Sequence, residues 1–368
     1  MITAADLASV IRHPAGLDAL VTREGLAPVL ALAGAEGVDA WLADARADVD
    51  ALAARRRHAV LEETLKCAEL QRVSAALTAH GIAAVVLKGG ALAYTHYAQP
   101  WLRPRYDLDL LVPHAHWDRA VAALQAIGYT RTGLLQGRLL IRQDELACDL
   151  AAGLRHVVDL HWEATNRAFF IARLPARDLL DRTVPAPYAG GATRQLTPID
   201  NLLVAAVHRA AHHAGHRRLI WLYDEWLVAR ALDDADVGRF VARAAACGLA
   251  SLCGRDLAEA RDAFGDAGGA LRPAIIAELE RLGAAEPARR IRAPERDQRS
   301  RLRDLGYDLR ALPRWRDRGR LVIEHLLPPP SFVLADAGTS HTSLLPWLYA
   351  RRLISGSVAW TREWIERR

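Results

Sequence analysis

Two carboxylates within an apolar strand limit the possible fold and function of this chain more than any other feature. Residues 107–112 read Asp-Leu-Asp-Leu-Leu-Val, which predicts a β-strand closed by Pro113. Side chains two positions apart point to the same side of a strand, so Asp107 and Asp109 are expected to lie side by side. Like charges at this separation repel each other, and a divalent cation is the obvious counter-charge.

A glycine pair precedes this strand, at the end of another apolar run. Residues 82–87 predict a short buried strand, and Gly89 and Gly90 lead into a short helix over 91–97. Because glycine has no Cβ atom, a phosphate group can approach the backbone closely there. Lys88 is one of only two lysines in the chain, and its compact ammonium suits a phosphate oxygen. The alternative is that a lysine occurs at this position by chance and has no role in binding.

A third carboxylate lies in a second alternating run. Residues 157–162 read Val-Val-Asp-Leu-His-Trp, which places Asp159 and His161 on one face of a strand. If this strand lies beside the first, Asp159 joins Asp107 and Asp109. Two-metal phosphoryl transfer uses such carboxylates to hold two Mg²⁺ ions about 4 Å apart. The alternative is a set of surface acids on an edge strand.

Basic residues in the preceding loop offer a second clue. Arg103 and Arg105 come just before the first carboxylate. A guanidinium can clamp triphosphate oxygens with two hydrogen bonds, and this role suits Arg103 better than Arg105. Either arginine is equally able to neutralise the carboxylates.

Histidines on a later helix form a third group. Thr197 as N-cap and Pro198 as the first residue predict a helix that carries His208 and His212 four positions apart. This spacing is compatible with zinc, with a polar cleft wall that touches substrate or nucleotide, or with plain packing. Asp224 on the next helix, over 219–232, is able to orient one imidazole.

The order of the elements predicts an α+β (mixed α/β) fold, a small mixed β-sheet core with extensive helical additions at both ends. Residues 129–134 and 137–142 are expected to form a hairpin about Gln136-Gly137, and a terminal helix is expected to contain Trp360 and Trp364. The expected divisions are an N-terminal helical region, a sheet core, a helical domain and a C-terminal helical region, at 1–80, 81–190, 191–292 and 293–368.

Bulk properties limit the class of protein. The chain has 368 residues, a net charge of +5 and four cysteines without a CxxC pair, so a disulfide framework or a cysteine zinc site is not expected. The sequence predicts neither a signal peptide nor a membrane span, and a cytoplasmic location is expected. Arginines over 289–320 are mixed with acidic residues, which is typical of a solvated, salt-bridged helical surface, although RNA binding is the alternative.

These motifs together resemble the polymerase-β-like nucleotidyltransferase superfamily, and more narrowly its bacterial family of uncharacterised nucleotidyltransferases, family 5. The resemblance spans roughly residues 60–260 and depends on segments 87–92 (LKGGAL), 107–112 (DLDLLV), 158–162 (VDLHW), 197–203 (TPIDNLL) and 221–224 (WLYD). It implies metal ligands at Asp107, Asp109 and Asp159 and a phosphate turn at Gly89 and Gly90. The wider superfamily usually has Gly-Ser at this turn, so one hydroxyl is missing here.

The resemblance implies a magnesium-dependent transfer of a nucleoside monophosphate from a nucleoside triphosphate to a hydroxyl, with release of pyrophosphate. The acceptor is expected to be a small molecule or a protein, and a nucleic acid is the less expected partner. Two alternatives stay open: a catalytically silent nucleotide-binding module on the same fold, and a tRNA-type nucleotidyltransferase.

Overall fold

The computed structural model describes residues 2–46, 48–133, 139–150, 153–213, 215–290 and 301–354. These residues form one mixed β-sheet with helices before and after it, which confirms the predicted α+β class. In the described ranges, no helix combines the length and the apolar character needed to cross a membrane.

Seven strands make the sheet. Their bounds are β1 Val85–Val86, β2 Asp107–Leu111, β3 Thr130–Arg131, β4 Gln143–Asp149, β5 Arg155–His161, β6 Val184–Pro185 and β7 Arg194–Gln195. In space the order is β3-β4-β5-β2-β1-β7-β6. The central pair, β2 and β5, is parallel, whereas β1 runs antiparallel to β2 and β4 runs antiparallel to β5.

Helices account for most of the remaining chain. Those that begin and end within the described residues are α1 Ala4–Arg12, α2 Leu17–Glu24, α3 Leu26–Glu36, α4 Asp39–Ala45, α5 Asp50–Ala79, α6 Lys88–Thr95, α7 Trp117–Ala126, α8 Ala168–Ile171, α9 Ala176–Leu180, α10 Pro198–His212, α11 Leu219–Arg230, α12 Asp234–Ala246, α13 Ala250–Phe264, α14 Pro273–Leu282, α15 Arg301–Ala311, α16 Trp315–Leu326 and α17 Pro330–Asp336.

The two largest apolar cores of the described residues both include residues of the sheet. The first joins one face of β2 and β5 to helices α5 and α7, and it includes Leu108, Leu110, Val158 and Leu160. The second joins α1–α3 to helices α10–α14. Helix α10 begins as predicted, because the Thr197 hydroxyl accepts a hydrogen bond from the backbone N–H of Asp200 at 3.2 Å.

The C-terminal part packs onto the segment that follows β5. Arg167 pairs with Asp304 at 2.9 Å and with Asp308 at 2.6 Å, and all three side chains are largely buried. Asp308 also accepts a hydrogen bond from the backbone N–H of Phe169 at 2.8 Å. The expected solvated surface is therefore wrong for these two carboxylates, because they hold helix α15 against the sheet domain.

Several predicted elements have different bounds. The strand expected over 82–87 is reduced to β1, and the helix expected over 91–97 begins already at Lys88. The expected hairpin is wrong in its second strand, since β3 pairs with β4, whose first residue is Gln143. Its turn at Gln136-Gly137 and the expected terminal helix with Trp360 and Trp364 lie outside the described residues.

Candidate active site

The parallel pairing of β2 with β5 brings two of the predicted carboxylates together. In this register Asp109 lies directly opposite Asp159. Because side chains alternate along a strand, Asp107 shares the face of Asp109, while Leu108 and Leu110 enter the apolar core on the other face. One face of the sheet centre is thus acidic and the other is apolar.

Asp109 is the most deeply buried carboxylate of this acidic face. Its Oδ1 atom accepts a hydrogen bond from Lys88 Nζ at 2.7 Å and lies 2.8 Å from His161 Nε2. Burial would raise the pKa of Asp109, but the Lys88 ammonium and the His161 hydrogen bond bring it well below its ordinary value. Asp109 is therefore ionised at neutral pH.

Asp159 has the opposite character. Burial, followed by the negative charges of Asp109 and Asp107, raises the pKa of Asp159 to about 7. The pKa of Asp107 is also raised, by burial and by the charge of Asp109. Neighbouring carboxylates with widely separated pKa values are typical of sites where one group moves a proton and another stays charged.

Lys88 adopts an unusual backbone conformation at this position. Its φ angle is +50°, in the left-handed region that side-chain-bearing residues rarely occupy. The contact with Asp109 holds the residue there at the start of α6. The N-cap residue of this helix, Leu87, makes no side-chain cap, so first-turn N–H groups of α6 are open to an anion.

The two glycines that follow are tightly packed. A Cβ atom on Gly90 would lie 3.0 Å from a Val86 methyl carbon and 3.2 Å from a Leu108 methyl carbon. A Cβ atom on Gly89 would lie 2.9 Å from the guanidinium carbon of Arg103. A side chain at either position would therefore require its neighbours in β1, β2 or Arg103 to shift.

Arg103 forms a buried ion pair with Asp224. Its Nε and Nη2 atoms donate to the carboxylate at 2.9 and 2.7 Å, and the Tyr97 hydroxyl donates to the same group at 2.7 Å. Asp224 is thus bound by a guanidinium and a phenol rather than by the expected imidazole. The pair joins the loop before β2 to α11, and phosphate contact by Arg103 stays a prediction.

Arg105 is directed away from the acidic face. Its guanidinium donates two hydrogen bonds to Glu63, at 2.7 and 2.9 Å, and a third to the Tyr94 hydroxyl at 3.1 Å. The Lys66 ammonium donates to the backbone carbonyl of Arg105. These contacts fix the loop that leads into β2, and they neutralise Glu63 rather than the β2 carboxylates.

The predicted histidines of α10 lie beside this site. His208 and Lys88 line a common small cavity of about 50 Å³, and the pKa of His208 is well below its usual range through burial and the nearby Lys88 charge. His208 Nε2 lies 2.9 Å from His213 Nε2, and His212 Nε2 lies 3.2 Å from the Thr165 hydroxyl. Substrate contact by His208 or His212 stays a prediction.

Comparison with known protein families shows which family the chain belongs to. The family model described as uncharacterised nucleotidyltransferase matches residues 20–265. The chain belongs to this family. No curated protein matches it. The matched segment contains β1, β2, β5, α6 and α10, so it includes all the residues of the acidic face.

For this nucleotidyltransferase, the sequence missed residues that β4 contributes. Gln143 Nε2 donates to Asp159 Oδ2 at 2.8 Å, and Glu145 lies opposite Asp159 in the β4–β5 register. Asn166 in turn donates to Gln143 Oε1 at 3.3 Å. The polar residues two apart at 143 and 145 were the available signal, but the expected strand ended before them.

The acidic face of this family member suits a divalent cation. Ligand atoms of Asp109, Asp159 and His161 all lie within 4.8 Å of one another, and this is the one such group of three that the described part of the chain contains. The α10 histidines form no comparable group there. The pKa of Asp159 is raised first by burial and then by the negative charges of Asp109 and Asp107, and a cation relieves the repulsion between these charges.

Proposed function

We propose that this protein transfers a nucleoside monophosphate from a nucleoside triphosphate to a hydroxyl group of a small molecule or a protein, and releases pyrophosphate. The observation that carries the proposal is the β2–β5 register, which sets Asp109 against Asp159 next to Lys88. Family membership supports nucleotidyl transfer in general. The acceptor and the products are the proposed part.

The reaction forms one bond and breaks one bond. The acceptor hydroxyl oxygen attacks the α-phosphorus, and the bond from this phosphorus to the bridging oxygen breaks, so pyrophosphate leaves. Asp159 accepts the hydroxyl proton. The pKa of about 7 belongs to the site without a cation, and a bound cation lowers it, so Asp159 is ionised and able to accept this proton in the loaded site.

The triphosphate would bind at the start of α6. Lys88 moves from Asp109 to phosphate oxygens, and the backbone N–H groups of Gly89 and Gly90 donate to them. The Arg103 guanidinium lies close to this turn, since a Cβ atom placed on Gly89 would be 2.9 Å from its central carbon. Asp107, Asp109 and Asp159 would hold the divalent cation, Mg²⁺ in the sequence-based expectation, which neutralises charge on the triphosphate when bound.

A nucleotide-binding measurement tests the proposal first. Thermal unfolding is followed with ATP, GTP, CTP or UTP, each with Mg²⁺, because a nucleotide that binds the folded state raises its unfolding temperature. Asp109→Asn is expected to remove the shift, whereas Asp149→Asn, an exposed carboxylate on β4, is expected to keep it. An unchanged shift in the Asp109 variant contradicts the site assignment.

Two further readouts separate the alternatives. Pyrophosphate release is measured with the nucleotide that binds, first alone and then with pooled small-molecule and protein acceptors. Binding without release under all conditions favours a silent nucleotide-binding module. Salt-sensitive binding of bulk tRNA favours a tRNA-type enzyme.

A further inference from the structure

One imidazole, that of His161, lies among the carboxylates of the acidic face. His161 is the last residue of β5 and shares a face with Asp159, two positions earlier. The residue is only 2% exposed, and its Nε2 atom lies 2.8 Å from Asp109 Oδ1. The imidazole is thus directed into the cluster that carries the negative charge.

The hydrogen-bonding capacity of His161 is only partly used. The Nε2 atom is the ring nitrogen that faces the cluster, since it lies 2.8 Å from Asp109 Oδ1. The other ring nitrogen, Nδ1, is buried and has no hydrogen-bond partner among the described residues. Ligand atoms of Asp109, Asp159 and His161 lie within 4.8 Å of one another. A cation held by the two carboxylates would take the Nε2 lone pair, and the ring proton would then be on Nδ1.

The chemistry of the donors bears on which cation binds. Mg²⁺ prefers an all-oxygen environment and keeps several of its waters. Imidazole nitrogen suits first-row transition ions, and carboxylate oxygen is accepted by Mn²⁺ as well as by Mg²⁺. An imidazole beside the carboxylates therefore gives a donor set that differs from the all-carboxylate set that the sequence predicts.

We propose that His161 is a metal ligand and that it makes this site select Mn²⁺ over Mg²⁺. This inference rests on the proposed function in one respect, because both place a divalent cation at the acidic face. The alternative role for His161 is to orient Asp109 through a hydrogen bond, without contact to the cation.

Pulsed electron paramagnetic resonance of the full chain with Mn²⁺ alone tests this directly. A coordinated imidazole gives a ¹⁴N coupling to the manganese spin. We expect the coupling in the wild type, its loss in His161→Gln, and its retention in His58→Gln, a histidine whose side chain is 73% exposed on α5. The glutamine keeps an N–H donor for Asp109 but removes the aromatic nitrogen.

Calorimetric titration supplies the selectivity. The wild type is expected to bind Mn²⁺ at least about tenfold more tightly than Mg²⁺, and His161→Gln is expected to lose most of this difference. Wild-type spectra without ¹⁴N coupling, or equal affinities for the two ions, would overturn the inference, whether or not the variant folds. Nucleotidyl transfer with Mg²⁺ in that case leaves the proposed function intact. Conversely, nitrogen-coupled manganese without transfer of any nucleotide supports His161 as a ligand and contradicts the proposed function.

Discussion

The buried pair of Arg103 and Asp224 gives the sharpest prediction about how the site is held together. The two residues are 8% and 6% exposed, and the guanidinium donates from two nitrogens to one carboxylate. Arg103→Met removes both donors and leaves Asp224 with the Tyr97 hydroxyl alone. Breaking a buried ion pair from one side costs about 3–5 kcal/mol, because the remaining charge is uncompensated.

The double variant separates this cost from loss of packing. Arg103→Met with Asp224→Leu removes both charges and keeps apolar volume, so we expect it to be clearly more stable than the sum of the single variants predicts, by about 2 kcal/mol or more. The free energy of unfolding is measured by urea denaturation followed by circular dichroism. The exposed pair of Arg281 and Glu278, at 2.6 Å, is the matched control and should show little change on the same treatment.

Two results would refute the reasoning. One is a loss below about 1 kcal/mol in Arg103→Met, which would mean that water replaces the guanidinium at no great cost. The other is strict additivity in the double variant, which would mean that the two charges do not interact across the 121 residues that separate them in sequence.

Three further predictions follow from the same structure. Gly90→Ser is expected to lower the free energy of unfolding by about 1–3 kcal/mol, because the new Cβ atom would lie 3.0 and 3.2 Å from core methyl carbons. Gly34→Ser is the control, since a Cβ atom there has open space. Equal losses for the two variants in urea denaturation would contradict the packing explanation. Burial lowers the pKa of His156 to about 4, so the unfolded chain takes up this proton first as the pH falls. His156 alone should therefore lower the free energy of unfolding by about 2 kcal/mol from pH 7 to pH 5. The free energy of unfolding of His156→Gln should differ from that of the wild type by this pH-dependent amount, and parallel pH profiles for the two proteins would exclude the contribution. Asp159→Asn is expected to reduce the rate of pyrophosphate release by about 10²–10⁴-fold while nucleotide still raises the unfolding temperature, and a full rate in this variant would exclude Asp159 as the base.

The central part of the site was predictable because its signals are local. A period of two within an apolar run predicts the strand and puts Asp107 and Asp109 on one face. The same rule assigns Asp159 and His161 to one face of β5. Only the pairing of the two strands needed the structure, since sequence periodicity does not specify neighbours.

The parts that were missed depend on distant contacts. Gln143 belongs to a strand whose predicted location was several residues too early, and a shift in strand position moves side chains to the other face. The partner of Arg103 lies on α11, far away in the sequence, so a free phosphate clamp and a buried structural arginine gave the same local pattern. The glycine pair was likewise consistent with a phosphate turn, whereas its packing against Arg103 is a tertiary feature.

The balance of buried charge indicates where a ligand is required. Arg103 pairs with Asp224, Arg105 with Glu63, and Arg209 with Glu225 at 3.1 Å, so these buried arginines each have a carboxylate partner. The acidic face has three carboxylates, from β2 and β5. Among the described lysine and arginine residues, only Lys88 forms an ion pair with one of them, Asp109. The fold tolerates this excess by keeping a proton on Asp159 near neutral pH, as its pKa of about 7 indicates. A bound cation would remove the need for that proton, so cation binding should release protons at pH 7. Calorimetric titration in buffers of different ionisation enthalpy measures that release, and identical heats in all buffers would contradict the argument.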